Sequence, residues 1–377
     1  MGWIRAGHPR EKLAKTTPGP IGWVGVPPSA AGPAKRIKMK KYNVAVIGVG
    51  AVGIEMLRVL KQRNFPVGNL KVFARSTRNI EVDGQNYAVE AITPEGFNGI
   101  DIALFAGTEG EKGAAATYAA EAVKRGAVVI DNGADFRMDP KVPLVVPEVN
   151  AKDVKIHKGI IANPNCSTIQ MVVALWPIYK KAGIKRIIVT TLQASSGAGR
   201  AAVEQLKEEN IRIASAGYNN LQVDLEGRYL PQQLAYNVFP HIGSFVECDY
   251  TNEEWKLVKE THKIMHDNKI KISATTVRVP VRTGHSESVY IETKRPITPE
   301  KAREVFSKAP GVIVIDDPKK SLYPMPKDSE GRDETFVGRI RRDPFVKNGL
   351  WLWVVADNLR KGAATNAVQI AECLISK

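Results

Sequence analysis

The sequence predicts an α/β protein: a Rossmann-type doubly wound domain followed by an α+β domain with a mostly antiparallel sheet. Three observations carry this. The chain has 377 residues, more than one ordinary core accommodates, with the 44% apolar and 25% charged content of a globular protein. In its first half, short apolar runs alternate with segments of helical period, the pattern of a parallel sheet with crossover helices. In its second half the texture becomes β-rich, with fewer and more scattered helical stretches.

Residues 1–38 are rich in Pro and Gly and have no usable period, and are expected to be a disordered basic extension. No continuous apolar core of a secretory signal is present in them. Of the net charge of +15, residues 1–41 carry +8, so the body is only mildly basic. The body shows no basic stripe with interleaved aromatics, which argues against nucleic acid as a partner. No apolar run is long enough to span a membrane. Three cysteines, Cys166, Cys248 and Cys373, are too few and too odd for a disulfide framework, which points to a reducing cytoplasm.

Residues 43–47 read as a buried strand and are followed by Gly48-Val49-Gly50-Ala51-Val52-Gly53 and a helix. Strand, Gly-x-Gly-x-x-Gly and helix together form a pyrophosphate cradle at a helix N-terminus. The next strand, residues 70–74, ends at Arg75-Ser76-Thr77-Arg78. An acid there would bind the ribose of NAD; bases and hydroxyls suit the 2′-phosphate of NADP. Residues 100–105 and 127–132 read as further strands, with an Ala-rich helix over 114–124 between them.

Residues 159–162 read as a strand, and an apolar helix begins at about residue 169. The turn between them is Asn163-Pro164-Asn165-Cys166-Ser167-Thr168. A cysteine at a helix start has its thiol acidified from about 8.5 towards neutrality. Ser167 and Thr168 are candidate caps, and the free N–H groups a candidate oxyanion site. Beyond it we expect a β-rich run over 186–193, helices over 201–213 and 253–266, strands over 272–281 and 288–293, a helix over 299–308, a strand over 351–356 and a closing helix over 363–375 that returns to the first domain. Among the six His, His285 stands out beside Gly284, with Arg278 and Arg282 upstream. His262 and His266 have metal-ligand spacing but no third ligand, and read as a solvated helix face; no metal is expected.

Several separated motifs then share one resemblance. They are Asp131-Asn132 with Phe136-Arg137-Met138, Val145-Val146-Pro147-Glu148-Val149-Asn150, Ala162 through Thr168, Gln193-Ala194 with Ser196-Gly197-Ala198-Gly199, Gly284-His285-Ser286-Glu287, and Ala356-Asp357-Asn358-Leu359-Arg360-Lys361-Gly362-Ala363-Ala364. With these in this order the chain resembles the aspartate-β-semialdehyde dehydrogenase family over about residues 40–377.

The resemblance implies NADPH-dependent reductive dephosphorylation of L-4-aspartyl phosphate to L-aspartate 4-semialdehyde through a cysteine thioester, in lysine, threonine and methionine biosynthesis. It makes Cys166 the nucleophile, His285 the general acid/base and Gln193 the residue that orients the acyl group. Asn165 would help hold substrate, Arg278 its carboxylate, Glu253 its amine, and Lys256 and Arg137 phosphate. Cofactor contacts would come from Gly48, Gly50, Ala51, Val52 and Gly53, from Arg75, Ser76 and Thr77, and from Ser196, Gly197 and Asn358. It further implies residues 39–165 as the NADP domain, completed by 357–377, residues 166–356 as a catalytic and dimerisation domain, and a homodimer, with a tetramer as the larger alternative. Ile47 and Val49 stand where the family usually has Gly and often Thr, and Glu109 is expected near the cofactor, where its charge would oppose a pyrophosphate. The alternatives are a related acyl-phosphate or acyl-CoA reductase, of the N-acetyl-glutamyl-phosphate or malonyl-CoA type, and a non-catalytic nucleic-acid binder.

Overall fold

Strand β1 (Tyr42–Ile47) lies at the centre of the first sheet, and its alternation sets the layers. The computed structural model describes residues 40–107, 113–218, 221–224 and 226–376; the expected extension 1–38 and Glu109 lie outside them. The described body, within Lys40–Lys377, is one compact unit. Its first sheet adds β2 (Val67–Ala74), β3 (Arg78–Val82), β4 (Gln85–Ala91), β5 (Ile102–Phe105), β6 (Val128–Asp131) and β7 (Ile160–Ala162). The order is β3-β4-β2-β1-β5-β6-β7, parallel throughout except for the β3–β4 pair. Val44 and Val46 face helix α1 (Ala51–Gln62) and the C-terminal helix, while Ala45 and Ile47 face helix α2 (Ala114–Lys124). Strand order reverses beside β1, which opens a crevice at its C-terminal end, where the glycine loop lies.

The β3–β4 hairpin was not anticipated. Its two-residue turn is Asp83-Gly84, both at positive φ (49° and 76°), the geometry of a tight hairpin. After β6 come the short helix α3 (Pro147–Asn150) and, beyond β7, the long helix α4 (Cys166–Ala182).

The second sheet contains β8 (Ile184–Gln193), β9 (Lys271–Arg278), β10 (His285–Thr293), β11 (Val312–Val314), β12 (Thr335–Arg342) and β13 (Gly349–Ala356), in the order β11-β12-β13-β10-β8-β9. Three of its five pairings are antiparallel, with β11–β12 and β8–β9 parallel. Helix α5 (Arg200–Ser215) follows β8, and α6 (Asn252–Met265), α7 (Pro299–Ser307) and α8 (Pro326–Ser329) follow in order. Helices α4, α6 and α7 cover one face, where Ile187, Val189, Val289, Ile291, Leu352 and Val354 are buried. Each such aliphatic side chain contributes roughly 1.5–3 kcal/mol of burial.

Several boundaries differ from expectation, among them the start of β2 at Val67 and of α4 at Cys166. β9 stops at Arg278 rather than residue 281, because Pro280 has no N–H to continue the ladder. β10 starts three residues earlier, at His285. Residues Arg360–Ala364 form a π turn, and the last helix, α9, runs from Thr365 to Ile375. The π turn buries Lys361 completely, with its Nζ 2.7 Å from Glu148 Oε2, 2.9 Å from Asn366 and 2.7 Å from Gln369. No helix among the described residues is long and apolar enough to cross a membrane.

Candidate active site

Helix α4 begins at Cys166, and the residue before it organises the site. Asn165 is the N-cap: its Oδ1 accepts from Ser167 N (3.0 Å) and Thr168 N (3.3 Å). The expectation that Ser167 and Thr168 cap the helix is therefore corrected; they lie inside its first turn as backbone donors. The same two bonds occupy N–H groups that were candidates for an oxyanion. Asn165 N donates to Glu260 Oε2 (2.7 Å), and its Nδ2 donates to Glu253 Oε1 (2.8 Å). Four hydrogen bonds thus fix the turn that carries Cys166. Gly362 packs against it: a Cβ there would come 2.8 Å from Cys166 Cβ.

Opposite the helix, the second sheet supplies a row of side chains. Register pairs Gln193 with Arg278, and the adjacent steps bring His285 beside Gln193 on one side and Ala356 on the other. His285 is fully buried, and its Nδ1 accepts from Ala194 N (3.1 Å). The neutral ring therefore carries its proton on Nε2, which lies 3.5 Å from Gln193 Nε2. Burial, and then the nearby Arg278, push the His285 pKa down to about 3, against the raising influence of Glu253. Arg278 NH1 donates to Ala194 O (2.7 Å). Gly197 lies against both: a Cβ would be 3.1 Å from the His285 ring and 3.2 Å from Arg278.

Glu253, on α6, joins helix and sheet. It accepts from Asn165, from Gln193 Nε2 (3.2 Å) and from Lys256 Nζ (2.8 Å), and only 4% of it is exposed. Burial pushes its carboxyl up, but Lys256 and the two amides outweigh that and hold its pKa at about 2. A Glu253–Lys256 pair on an exposed helix face would be worth little; here the carboxylate is buried. Arg137 is held by Asn163 O (3.0 Å), Asn132 O (2.8 Å) and Glu260 Oε1 (3.2 Å). Arg137 and Lys256 line one cavity of about 290 Å³, with Glu260, Trp255 and Lys259.

Glu260 escaped the sequence reading. It holds both the Asn165 backbone and Arg137, seven residues after Glu253 on the same face of α6. Lys263, one position short of a turn further, donates to the carbonyls of Arg137, Asp139 and Val142 at 2.7–2.8 Å and so anchors the loop that carries Arg137.

The glycine loop has the geometry of an anion cradle. Gly48 has φ +100°, and a Cβ on Gly53 would meet Gly48 O at 1.9 Å, so the turn closes only on glycine there. A Cβ on Gly50 would meet nothing within 4 Å, leaving open space in front of the helix. No side chain caps α1 and no acid occupies its first turn, so the N–H groups at Ala51, Val52 and Gly53 suit a pyrophosphate. Arg75, Ser76 and Thr77 are exposed beyond the end of β2. Ser196 and Asn358 are bonded to each other: Gly284 N fixes Asn358 Oδ1 at 2.9 Å, and Asn358 Nδ2 donates to Ser196 Oγ at 2.9 Å. His262 is half-buried against Ile270 O (2.8 Å) rather than on a solvated face, and His266 reaches Asp153 (2.8 Å).

Comparison with known proteins agrees with this geometry. Residues 43–157 match the family model "Semialdehyde dehydrogenase, NAD binding domain", and residues 175–361 match "Semialdehyde dehydrogenase, dimerisation domain". The chain is 55% identical over 350 residues to the aspartate-semialdehyde dehydrogenase of Aquifex aeolicus, covering 89% of this chain and 98% of that one. The crystal structure of aspartate semialdehyde dehydrogenase II from Vibrio cholerae superposes with a TM-score of 0.83 at 43% identity, over 89% of this chain and 99% of that one. A second Vibrio cholerae structure of that name, described as complexed with ASA, has the same TM-score of 0.83 and the same 43% identity, over 89% and 98% of the two chains. Identity of this extent along nearly the whole of its relatives, across both sheets, means that the chain belongs to the aspartate-semialdehyde dehydrogenase family.

Proposed function

We propose that this chain catalyses the NADPH-dependent reductive dephosphorylation of L-4-aspartyl phosphate to L-aspartate 4-semialdehyde, with Cys166 as nucleophile. The observation that carries the reading is the single buried network joining Asn165, Glu253, Gln193 and Lys256 beside the start of α4. It sets a carboxylate for an amine beside Cys166, with Arg278 across the sheet row for a carboxylate.

In this reading the Cys166 thiolate attacks the acyl carbon and phosphate departs, leaving a thioester. Lys256 and Arg137, which share one cavity, neutralise the leaving phosphate. Gln193, anchored by Thr191 Oγ1 at 3.1 Å and by Glu253, orients the acyl group. His285 presents Nε2–H to the developing oxyanion. NADPH, when bound, supplies the hydride. The glycine loop, Arg75, Ser76 and Thr77 would hold it, with Ser196, Gly197 and Asn358 on the catalytic side. The absence of any acid from residues 75 to 78 favours NADPH over NADH.

Residues 39–165 with 357–377 form the cofactor domain in this reading, and 166–356 the catalytic and dimerisation domain. The protein is proposed to be cytoplasmic and a homodimer; the sheet face away from α4 supports the latter, because Ile188, Tyr290 and Trp351 align across it. The test is phosphate-dependent oxidation of aspartate semialdehyde, with NADP and NAD compared. Glu253→Gln should hurt aspartate semialdehyde far more than succinate semialdehyde, which has no amine. Equal losses on the two aldehydes would remove the amine-binding role.

A further inference from the structure

A second pair of polar side chains lies directly behind Cys166 and His285. Gln170 follows Cys166 by one helical turn on α4, and Glu287 follows His285 by two residues on β10, so each shares a face with its predecessor. Both are fully buried. Across the sheet Glu287 stands between Thr191 on β8 and Val354 on β13, and the polar group set against it from α4 is the Gln170 amide. None of these three is charged. The next titratable groups along that face are His285 and, on the helix, Cys166.

The hydrogen bonds of this pair are incomplete in an informative way. Gln170 Nε2 lies 3.5 Å from the His285 carbonyl oxygen, which ties α4 to the start of β10. Gln170 Oε1 and both Glu287 carboxyl oxygens have no hydrogen-bond partner among the described residues. Gln170 Oε1 and an ionised carboxylate can only accept, so an ionised Glu287 leaves that amide oxygen without a donor; a proton on Glu287 supplies one. Leaving a carboxylate charged in that place, without a cation, is the costlier alternative. Burial pushes the Glu287 carboxyl well above its ordinary range, against a smaller opposing effect of Gln170.

We propose that Glu287 is held as the neutral acid and is a positioning residue, which fixes Gln170 and through it the strand start at His285 against the Cys166 turn. It touches neither substrate nor cofactor, and its role in turnover rests on the reading of Cys166 and His285 given above. Glu287→Gln keeps the shape and the neutral polarity and should retain most of kcat. Glu287→Leu keeps bulk but loses the polar contact, and should lower kcat roughly tenfold or more with KM little changed.

A second measurement is independent of turnover. A carboxyl kept protonated in the fold takes up a proton on folding once pH exceeds its unfolded value of about 4.3. Its folded value is raised, so the associated stability is complete below that pH and is lost as pH rises. The folding constant of the wild type relative to Glu287→Gln should fall about tenfold per pH unit above it, until the folded value is reached. Wild-type kcat in Glu287→Leu would overturn the positioning role. A Gln variant as impaired as the Leu variant, or a stability gap that is flat with pH, would overturn the neutral acid. If Cys166→Ser were still active, the catalytic reading would fail while the pH-dependent gap at Glu287 would remain.

Discussion

Cys166 is only partly exposed, whereas Cys248 is open to solvent and Cys373 is half-buried, with its thiol pushed up by burial and by Glu372. If Cys166 is the activated nucleophile, iodoacetamide should label it faster than Cys248 despite its poorer access, and Cys373 slowest. Cys166→Ser should abolish turnover with the fold intact. Faster labelling at Cys248 would count against the assignment. The charges around the cysteine also have a signature in stability. Glu253 sits at about 2 in the fold, so it stabilises the protein above its ordinary value of about 4.3 and loses that contribution as pH falls towards 2. His285, depressed to about 3, adds a similar loss as pH falls from about 6.5, because the unfolded chain takes up the proton first. The His285 loss is common to wild type and Glu253→Gln, so urea unfolding should show wild type losing roughly 2–4 kcal/mol relative to that variant between about pH 5 and pH 2, from Glu253 alone. A constant difference would contradict the buried network. Of the residues gathered around Asn165, Gln193 lies in a quoted motif, and Glu253 and Lys256 were named through the resemblance those motifs carry. Glu260 was not, because an acid on an amphipathic helix reads as solvated, and its partner is a backbone N–H 95 residues away.

The elements were legible where period and punctuation agree. β1, the glycine loop, α2 and α4 lie where apolar spacing places them, within a residue or two at most boundaries except the start of α4. The β3–β4 hairpin was passed over because its strands are mostly exposed and carry little apolar alternation, although Asp83-Gly84 marks its turn. β11 and β12 were missed for a related reason: one is three residues long, and the other bends at Arg339, with φ 51°. The glycine loop offers a test that separates fold from ligand. Gly53→Ala should lower Tm, because its methyl group would overlap Gly48 O and the backbone must move. Gly50→Ala should leave Tm unchanged and weaken NADPH binding, since the space it fills is empty of protein. Calorimetry and a fluorescence titration read the two effects. A Gly50→Ala protein that binds NADPH normally would remove the loop from the cofactor site.

At the scale of the whole molecule, one face of the second sheet is covered by helices and the other presents Ile188, 38% exposed, in register with Tyr290 and Trp351. Ile188→Glu should shift the mass seen by sedimentation from dimer to monomer. An unchanged dimer would move the interface elsewhere. The first sheet draws part of its core from the far end of the chain: Ala364, Ala367, Val368, Ile370 and Ala371 pack with Val44, Val46 and α1. That arrangement matters during synthesis. When β7 has been made, the ribosome must still add roughly 200 residues before α9 emerges, a delay of about 10–40 s at ordinary elongation rates. Throughout that interval the oldest part of the chain presents an unfinished apolar surface. A stop codon just after β13 should therefore send this protein to chaperones or aggregates, even though every strand of both sheets has been translated.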